Sequence, residues 1–288
     1  MKLHELNTIR PLLERHGFHF SKSMGQNFLI QEWVPKKILQ VSGADSACGV
    51  LEIGPGIGVL TQELCSAAKK VVSVELDTSL LPVLDETLAE FDNVRIINSD
   101  ILKLDIPALL DEEFAGLRPM ACANLPYNIT TPVLKALLEL DRFEQITVMI
   151  QKEVAQRICA KPGTAEYGAF TLFVNYYAQP SICFDVPPDC FHPRPKVTSS
   201  VITLHRTAPP TGLKDPEMLF ALTRAAFAQR RKTLVNGLTP LFSGRLDKQM
   251  IIQVLVECGF DERVRGETLG LPEFTTLANR FSEVLQKS

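Results

Sequence analysis

The segment LEIGPGIGVLT, residues 51–61, decides how the chain folds. An apolar, strand-like run ends in glycines at positions 54, 56 and 58, and an apolar pattern with helical spacing follows. Glycine permits the positive φ angles of a tight turn, and its missing Cβ lets a ligand approach the backbone. The segment therefore predicts a strand, a ligand-binding turn and a helix, the first unit of an open α/β sheet.

Strand and helix patterns alternate along the chain from this turn onward. Segments with the 3.6-residue apolar spacing of helices separate the predicted strands, and a final pair at 182–187 and 199–205 flanks a proline-rich loop. This succession predicts a doubly wound, Rossmann-like α/β sheet with an antiparallel edge strand. The earlier strands are predicted at 49–54, 70–76, 94–100, 120–126 and 146–152.

A proline- and glycine-rich segment, HRTAPPTGLKDP at 205–216, marks a change of pattern, because only helical spacing follows it. We therefore expect an α/β domain at residues 1–206 and a small all-helical domain at residues 207–288.

Composition and charge restrict the class of protein. The formal net charge is -3 and the pI is near 6.0, so a nucleic-acid site must come from local clusters of Lys and Arg. Seven cysteines, with no C-x-x-C pair, argue against a disulfide framework or a structural zinc site, and we expect no metal. The N-terminus does not resemble a signal peptide and no apolar run approaches ~18 residues, so we expect a cytoplasmic protein without a membrane segment.

The residues around the glycine turn distinguish between possible ligands. Val59 stands where the nicotinamide fingerprint G-x-G-x-x-G requires its third glycine. Glu52 would sit poorly beside a pyrophosphate but well beside the ammonium group of an amino acid. The pattern therefore favours S-adenosylmethionine, which carries a sulfonium and an amino-acid tail, over the nicotinamide cofactor of an oxidoreductase.

Two further acids follow predicted strands at the edge where open α/β sheets bind ligands. Glu75 would accept hydrogen bonds from both ribose hydroxyls, and Asp100 would accept one from the adenine amino group. Either residue alone is better explained as a solvated strand end or a helix N-cap. Together with Gly54 and Gly56 they predict the binding site of the methyl donor.

The segment ANLPYNITTP, residues 123–132, leaves a predicted strand at the same edge. The side-chain oxygen of Asn124 and the backbone carbonyl of Leu125 would each accept a hydrogen from an amine such as adenine N6, which directs the nitrogen lone pair towards the methyl group. Pro126 would stiffen this corner, and Tyr127 would stack on the base. The alternative is an ordinary strand-to-helix turn, in which Asn, Pro and Thr are common.

The order of the motifs resembles that of ribosomal RNA adenine N6,N6-dimethyltransferases, most closely the bacterial KsgA type. The resemblance spans the chain from about residue 22 to beyond residue 236. The motifs are QNFL (26–29), EIGPGIGVLT, VELD, SDI, NLPYNITTP, MIQKEVAQRI, FHPRPKVTSSV (191–201) and AFAQRRKTLVN (226–236).

The resemblance implies an enzyme that dimethylates two adjacent adenosines near the 3′ end of small-subunit rRNA. We expect its substrate to be an immature ribosomal subunit and the enzyme to be a monomer. The resemblance also implies that Phe191 is a second aromatic residue for the flipped base, although core packing explains this residue equally well. The family usually has Asp where this chain has Thr198, and we expect little effect because the mechanism does not use that side chain. The cofactor positions implied by the resemblance are Asn27, Leu29, Gly54, Glu75, Asp100 and Asn124.

Arg224, Arg230, Arg231 and Lys232 lie in one predicted helical region of the C-terminal domain. Clustered cations suit RNA phosphates, although a solvated helix face is the alternative. The similar QRRKT segment of the family favours rRNA. It also favours the small subunit, because methyltransferases acting on large-subunit rRNA generally lack this segment. A ribosome-assembly factor that acts mainly by binding, with methylation secondary, is a further alternative.

Overall fold

A computed structural model describes residues 1–20 and 26–287 of the chain. The start of the family resemblance, residues 22–25, lies outside the described residues. In chain order the elements are α1 (Leu6–Arg15), β1 (Phe28–Leu29), α2 (Trp33–Ser42), β2 (Cys48–Ile53), α3 (Val59–Ala67), β3 (Lys70–Glu75), α4 (Leu81–Thr87), β4 (Val94–Asn98), α5 (Ile106–Glu113), β5 (Arg118–Asn124), α6 (Thr130–Glu139), β6 (Gln145–Gln151), α7 (Lys152–Ile158), α8 (Ala169–Tyr177), β7 (Ala178–Val186), β8 (Phe191–His192), β9 (Ser199–Arg206), α9 (Pro216–Ala228), α10 (Leu234–Leu238), α11 (Lys248–Glu257) and α12 (Leu271–Lys287).

The main sheet has the strand order β4-β3-β2-β5-β6-β9-β7. Strands β2 to β6 pair in parallel, and β9 pairs antiparallel with β6. The predicted doubly wound, Rossmann-like sheet is therefore confirmed. The strand that runs antiparallel is β9, which lies between β6 and the edge strand β7.

Burial along the strands follows their place in the sheet. Strand β2 lies between β3 and β5 and is buried at all six positions, as its continuous apolar sequence predicts. Strand β4 lies at the edge and is only partly buried. The chain order reverses around β2, because β3 lies on one side of it and β5 on the other. Ligands of open α/β sheets bind beyond the carboxyl ends of the strands at this reversal.

The structure divides into two compact units. The first comprises Met1–Ala155 and Ser181–Arg206, and the second comprises Gln156–Pro180 and the residues from Thr207 onward. The chain passes from the first unit to the second at 206/207. The domains expected from the sequence, residues 1–206 and 207–288, stay a prediction. The structure also groups Gln156–Pro180 with the C-terminal helices, because Tyr167 and the α8 residues Leu172 and Tyr176 share their hydrophobic core.

The second unit is built around that core. Leu172 of α8, Leu222 of α9 and Phe274 of α12 are buried in one apolar cluster, and Phe242 stacks on Phe281. Among the described helices of the chain, none combines the length and the apolar character needed to cross a bilayer.

Candidate cofactor and target-amine site

A cavity of about 260 Å³ lies in the first unit, where β2, β3 and β5 end. The small β1–β8 sheet contributes to its wall, because Leu29 pairs with Phe191. The cavity brings together all the sequence-predicted cofactor and target-amine residues, which are Asn27, Leu29, Gly54, Gly56, Glu75, Asp100, Asn124, Leu125, Pro126, Tyr127 and Phe191.

The glycine turn after β2 requires glycine for two reasons. Gly54 and Gly56 have φ angles of 68° and 61°, a left-handed conformation that strains any other residue. A Cβ added at Gly56 would also lie 3.2 Å from the ring of Phe28, which lines the cavity. The turn is therefore a cradle in which a ligand can lie directly against the backbone.

Glu75, the last residue of β3, is held in place by the backbone. Its carboxylate accepts hydrogen bonds from the N–H of Asp77 at 2.8 Å and from the N–H of Gly56 at 3.3 Å. The side chain is buried, and this burial raises the pKa of Glu75 above its usual range. A carboxylate has about four acceptor positions, so two remain for the hydroxyls of a ligand.

Glu52 of β2 is almost completely buried at the cavity wall. Its Oε2 accepts hydrogen bonds from the hydroxyls of Thr61 at 2.7 Å and Ser73 at 2.6 Å. Burial outweighs these bonds and raises the pKa of Glu52 to about 7. A cationic group bound nearby would favour the ionised form.

The charge of the cavity indicates the class of ligand. Three carboxyl side chains line it, those of Glu52, Glu75 and Asp100, and its described lining residues include no Lys or Arg. Such a wall repels phosphate and favours a ligand that carries positive charge. The residues therefore fit S-adenosylmethionine and disfavour NAD. No group of three or more His, Cys, Asp or Glu residues suited to a metal ion occurs within 1–20 and 26–287.

Asp100 stands beyond β4 and is only partly buried. Its carboxylate accepts a hydrogen bond from the N–H of Leu102 at 3.0 Å, and the amine of Lys103 lies 3.7 Å away. The residue therefore stabilises a turn, as the alternative interpretation expected, and it also lines the cavity.

The segment before β1 contributes a residue that the sequence analysis did not single out. Gln26 lines the cavity, and its amide nitrogen donates to the carboxylate of Asp77 at 2.6 Å. The bond ties this segment to the turn that follows Glu75. Gln26 belongs to the QNFL motif, but only the folded chain places it beside Asp77.

Asn124 is the last residue of β5. It lines the part of the cavity that holds the predicted target-amine residues. Its side-chain nitrogen donates to the backbone carbonyl oxygen of Asn27 at 3.4 Å. This bond uses the donor side of the amide and leaves the side-chain oxygen able to accept.

The residues after Asn124 turn the chain into α6. The carbonyl oxygen of Pro126 accepts hydrogen bonds from the N–H of Ile129 and the hydroxyl of Thr130, both at 3.2 Å. The hydroxyls of Tyr127 and Ser199 lie 2.8 Å apart, and burial raises the pKa of Tyr127. The segment is thus a strand-to-helix turn that also lines the cavity.

Phe191 combines the two roles that the sequence analysis weighed. It is 3% exposed and belongs to the apolar cluster that includes Phe28. It also lines the cavity beside the NLPY segment.

The basic residues of the second unit do not lie on one helix. Helix α9 ends at Ala228, because Gln229 leaves the helical conformation with φ -132° and ψ 58°. Arg224 therefore lies on α9, whereas Arg230, Arg231 and Lys232 lie in the turn before α10. The expectation of one continuous helical region was wrong at this point.

Arg230 also differs from its neighbours in its contacts. Its guanidinium donates to the carboxylate of Glu267 at 2.7 Å and to the backbone carbonyls of Thr164, at 2.6 Å, and Ala165. Arg230 thus holds together two loops of the second unit. The exposed members of the basic group are Arg224, Arg231 and Lys232.

Known proteins resemble this chain along most of its length. The sequence profile named Ribosomal RNA adenine dimethylase matches residues 17–273. Ribosomal RNA small subunit methyltransferase A of Geobacillus thermodenitrificans (strain NG80-2) is 48% identical over 274 residues, which cover 94% of each chain. The protein of the same name from Lachnoclostridium phytofermentans is 48% identical over 279 residues, 96% of each chain.

Solved structures share the fold. A dimethyladenosine transferase from Plasmodium falciparum aligns with a TM-score of 0.75 at 24% identity, covering 89% of this chain and 98% of that one. The 23S rRNA methyltransferase ErmE aligns with a TM-score of 0.67 at 24% identity, covering 89% of this chain and 100% of that one. The family match includes every motif that carried the resemblance, and the chain belongs to the ribosomal RNA adenine dimethylase family.

Proposed function

We propose that this chain is an S-adenosylmethionine-dependent enzyme that adds two methyl groups to N6 of each of two adjacent adenosines near the 3′ end of small-subunit rRNA. One observation carries the proposal: a carboxylate-lined glycine turn and the Asn124–Tyr127 segment share one cavity. The names of the small-subunit relatives support that subunit over the large one.

The cofactor half of the cavity has a role for each of its three carboxyl side chains. Glu75 receives the ribose hydroxyls, Asp100 receives the adenine amino group, and Glu52 favours the ammonium group by its charge. The backbone of Gly54 and Gly56 lies against the ligand without a Cβ between them. Asn27 and Leu29 complete the wall. When bound, S-adenosylmethionine supplies a methyl group attached to a positively charged sulfur.

The target amine is prepared by two neutral oxygens. The lone pair of adenine N6 is delocalised into the ring, so the amine is a weak nucleophile. In the first transfer, the Asn124 side-chain oxygen and the Leu125 carbonyl each accept one N6 hydrogen, which allows the nitrogen to become pyramidal. In the second transfer only one N6 hydrogen remains, and one of the two oxygens accepts it. The Pro126 carbonyl already accepts two hydrogen bonds, which makes Leu125 the better second acceptor. The same oxygens stabilise the positive charge that develops on the nitrogen.

The target base leaves its stack and lies between aromatic side chains. Tyr127 offers a ring for stacking, and Phe191 presents a second aromatic side chain to the same cavity. A base held outside its helix is commonly recognised in this way. An unpaired or distorted rRNA segment is therefore the form of substrate that we expect to be methylated.

The second unit contributes to RNA binding through its exposed cations. Arg224, Arg231 and Lys232 contact phosphates, whereas Arg230 keeps the turn that carries Arg231 and Lys232 folded. Phosphate contacts position an RNA without reading its sequence. We also propose that the substrate is an immature small subunit in the cytoplasm. We propose further that the enzyme acts as a monomer.

The experiment that tests this function is a methyl-transfer assay with tritiated S-adenosylmethionine and immature small subunits that lack the modification. We expect label in the rRNA, and mass spectrometry should find it as two dimethyladenosines near the 3′ end. Fully modified subunits serve as the matched control and should take up no label. Label confined to large-subunit rRNA, or no label with an active control enzyme, would contradict the proposal.

A further inference from the structure

Tyr127 is attached to a buried residue that the proposed mechanism does not use. Its hydroxyl lies 2.8 Å from the hydroxyl of Ser199, which is the first residue of β9 and has no exposed surface. The two residues are 72 positions apart in sequence. Because rotation about the Cα–Cβ bond swings the ring of Tyr127, a hydrogen bond to its hydroxyl fixes the direction in which the ring points.

Ser199 is itself held from both sides. The carbonyl of Thr198 accepts a hydrogen bond from the N–H of Lys152 at 3.0 Å. The hydroxyl of Ser200 donates to the carboxylate of Asp185 at 2.6 Å, and the amine of Lys152 donates to the other oxygen of that carboxylate, also at 2.6 Å. Lys152 is therefore connected to the residues on both sides of Ser199. Its backbone N–H binds the carbonyl of Thr198, and its amine binds Asp185, which also accepts the hydrogen bond from Ser200.

The network contains one pair of opposite charges, the amine of Lys152 and the carboxylate of Asp185. The hydrogen bond from Lys152 and then that from Ser200 lower the pKa of Asp185, so the carboxylate is ionised at neutral pH. The bond to Thr198 uses its backbone carbonyl, which any residue supplies. The connection to Lys152 therefore does not depend on the side chain at position 198.

We propose that Ser199 is a positioning residue for RNA methylation, which fixes the ring of Tyr127 against the target base and is itself fixed by Lys152, Asp185 and Ser200. The inference rests on the proposed function, because it assigns Tyr127 to the target base. A purely structural Ser199 would affect the stability of the protein and leave the kinetic constants of the folded enzyme unchanged.

The test is a double-mutant cycle with Ser199→Ala, Tyr127→Phe and the combined variant. The assay measures kcat and KM on immature subunits, the Kd for S-adenosylmethionine by calorimetry, and Tm. We expect each single variant to lower kcat/KM for the subunit by about five- to tenfold, the equivalent of one hydrogen bond. The combined variant should lose no more than either single variant, because both changes remove the same bond. The Kd for the cofactor should stay unchanged.

Thr203→Val is the matched control. Thr203 is a buried hydroxyl residue of the same strand, and its partner is the sulfur of Cys183 at 3.6 Å. The Thr203→Val variant should lower Tm at most and leave kcat and KM at the wild-type values. If Ser199→Ala lowers Tm much more than this control, Tyr127→Phe decides the question, because it keeps both the aromatic ring and Ser199.

The outcomes separate this inference from the proposed function. A wild-type enzyme that is active, with Tyr127→Phe or Ser199→Ala at wild-type kcat/KM, overturns the inference alone. Losses that multiply in the combined variant overturn it as well, because Ser199 would then act independently of Tyr127. A wild-type enzyme that transfers no methyl to rRNA overturns both.

Discussion

The side-chain nitrogen of Asn124 donates a hydrogen bond to the backbone carbonyl oxygen of Asn27 across 3.4 Å, although 97 positions separate the two residues. The bond joins the end of β5 to the segment before β1, so the two halves of the cavity share one contact. It also fixes which side of the Asn124 amide remains an acceptor. The chemistry proposed for the amine depends on this orientation.

Asn124→Ala should remove most methyl transfer. The variant loses one of the two acceptors for N6, and the loss of one such preorganised group typically lowers kcat by about 10²–10³. Asn124→Asp keeps an acceptor oxygen and loses the donor to Asn27, so its kcat should lie between those of Asn124→Ala and the wild type. Single-turnover assays on immature subunits measure this order. Asn236→Ala, an exposed position of α10, is the control.

The same variants separate catalysis from binding. If Asn124→Ala abolishes methyl transfer and subunit maturation still proceeds normally in cells, binding rather than methylation carries the biological role. If both fail together while subunit affinity is unchanged, methylation carries it. A kcat for Asn124→Ala equal to the wild type would refute the role of its side-chain oxygen.

Glu75→Gln should weaken cofactor binding by about 10- to 100-fold, because charge-assisted hydrogen bonds to the ribose hydroxyls are replaced by weaker ones. Calorimetric titration with S-adenosylmethionine measures the effect, and Glu90→Gln, an exposed position, should bind like the wild type. NAD should not bind to any of these proteins. Equal affinity of wild type and Glu75→Gln would remove Glu75 from the site.

Gly56→Ala should lower both stability and cofactor affinity. A positive φ angle costs a non-glycine residue about 1–2 kcal/mol, and the new Cβ would meet Phe28 at 3.2 Å. Gly116→Ala is the matched control, because Gly116 has a φ of 74° and open space around it. Urea unfolding should show a loss for both variants, whereas calorimetry should show weaker cofactor binding for Gly56→Ala alone. A Gly116→Ala variant that also loses cofactor affinity would refute the close-approach argument.

Glu52 should make the free energy of unfolding depend on pH. Its pKa is about 7 in the folded chain and about 4.5 when unfolded, so between these values the native chain holds more protons than the unfolded one. The contribution of Glu52 to stability therefore falls as pH rises from 4.5 to 7, by on the order of 3 kcal/mol. The Glu52→Gln variant should not show this decrease in stability with rising pH.

The measurement is urea unfolding of the wild type and of Glu52→Gln at several values from pH 5 to pH 8. The variant should gain stability relative to the wild type as pH rises, and the gain should level off above pH 7. Glu90→Gln should follow the wild-type curve. Parallel curves for wild type and Glu52→Gln would show that Glu52 does not titrate in this range.

The basic turn before α10 should divide into two kinds of residue. Arg231→Ala and Lys232→Ala should raise KM for the subunit and reduce its dependence on salt, because each removes a phosphate contact. Arg230→Ala should instead lower the unfolding free energy by about 1–3 kcal/mol, because it loses its bonds to Glu267 and Thr164. Lys69→Ala is the control for the loss of one positive charge. Lys69 lies beside the amino end of β3, far from the carboxyl ends of the strands. Equal effects of all three turn variants on stability would contradict this division.

The sequence by itself determined the sheet, the glycine turn and the acceptors at the strand ends. These features are local: apolar runs specify buried strands, glycine specifies positive φ angles, and a residue that ends a parallel strand must lie at the ligand-binding edge. The positions of Glu75 and Asn124 at the ends of two apolar runs were therefore enough to assign both residues to that edge.

Only the tertiary structure decided which distant groups meet. Three contacts join residues that are far apart in sequence. Leu29 pairs with Phe191, the hydroxyl of Tyr127 bonds to that of Ser199, and Arg230 donates a hydrogen bond to Glu267. Helix α8 joins the C-terminal core for the same reason. Spacing along a chain reports the neighbours within one strand or helix, whereas partners across the fold depend on strand register and on how helices pack, which no local pattern specifies.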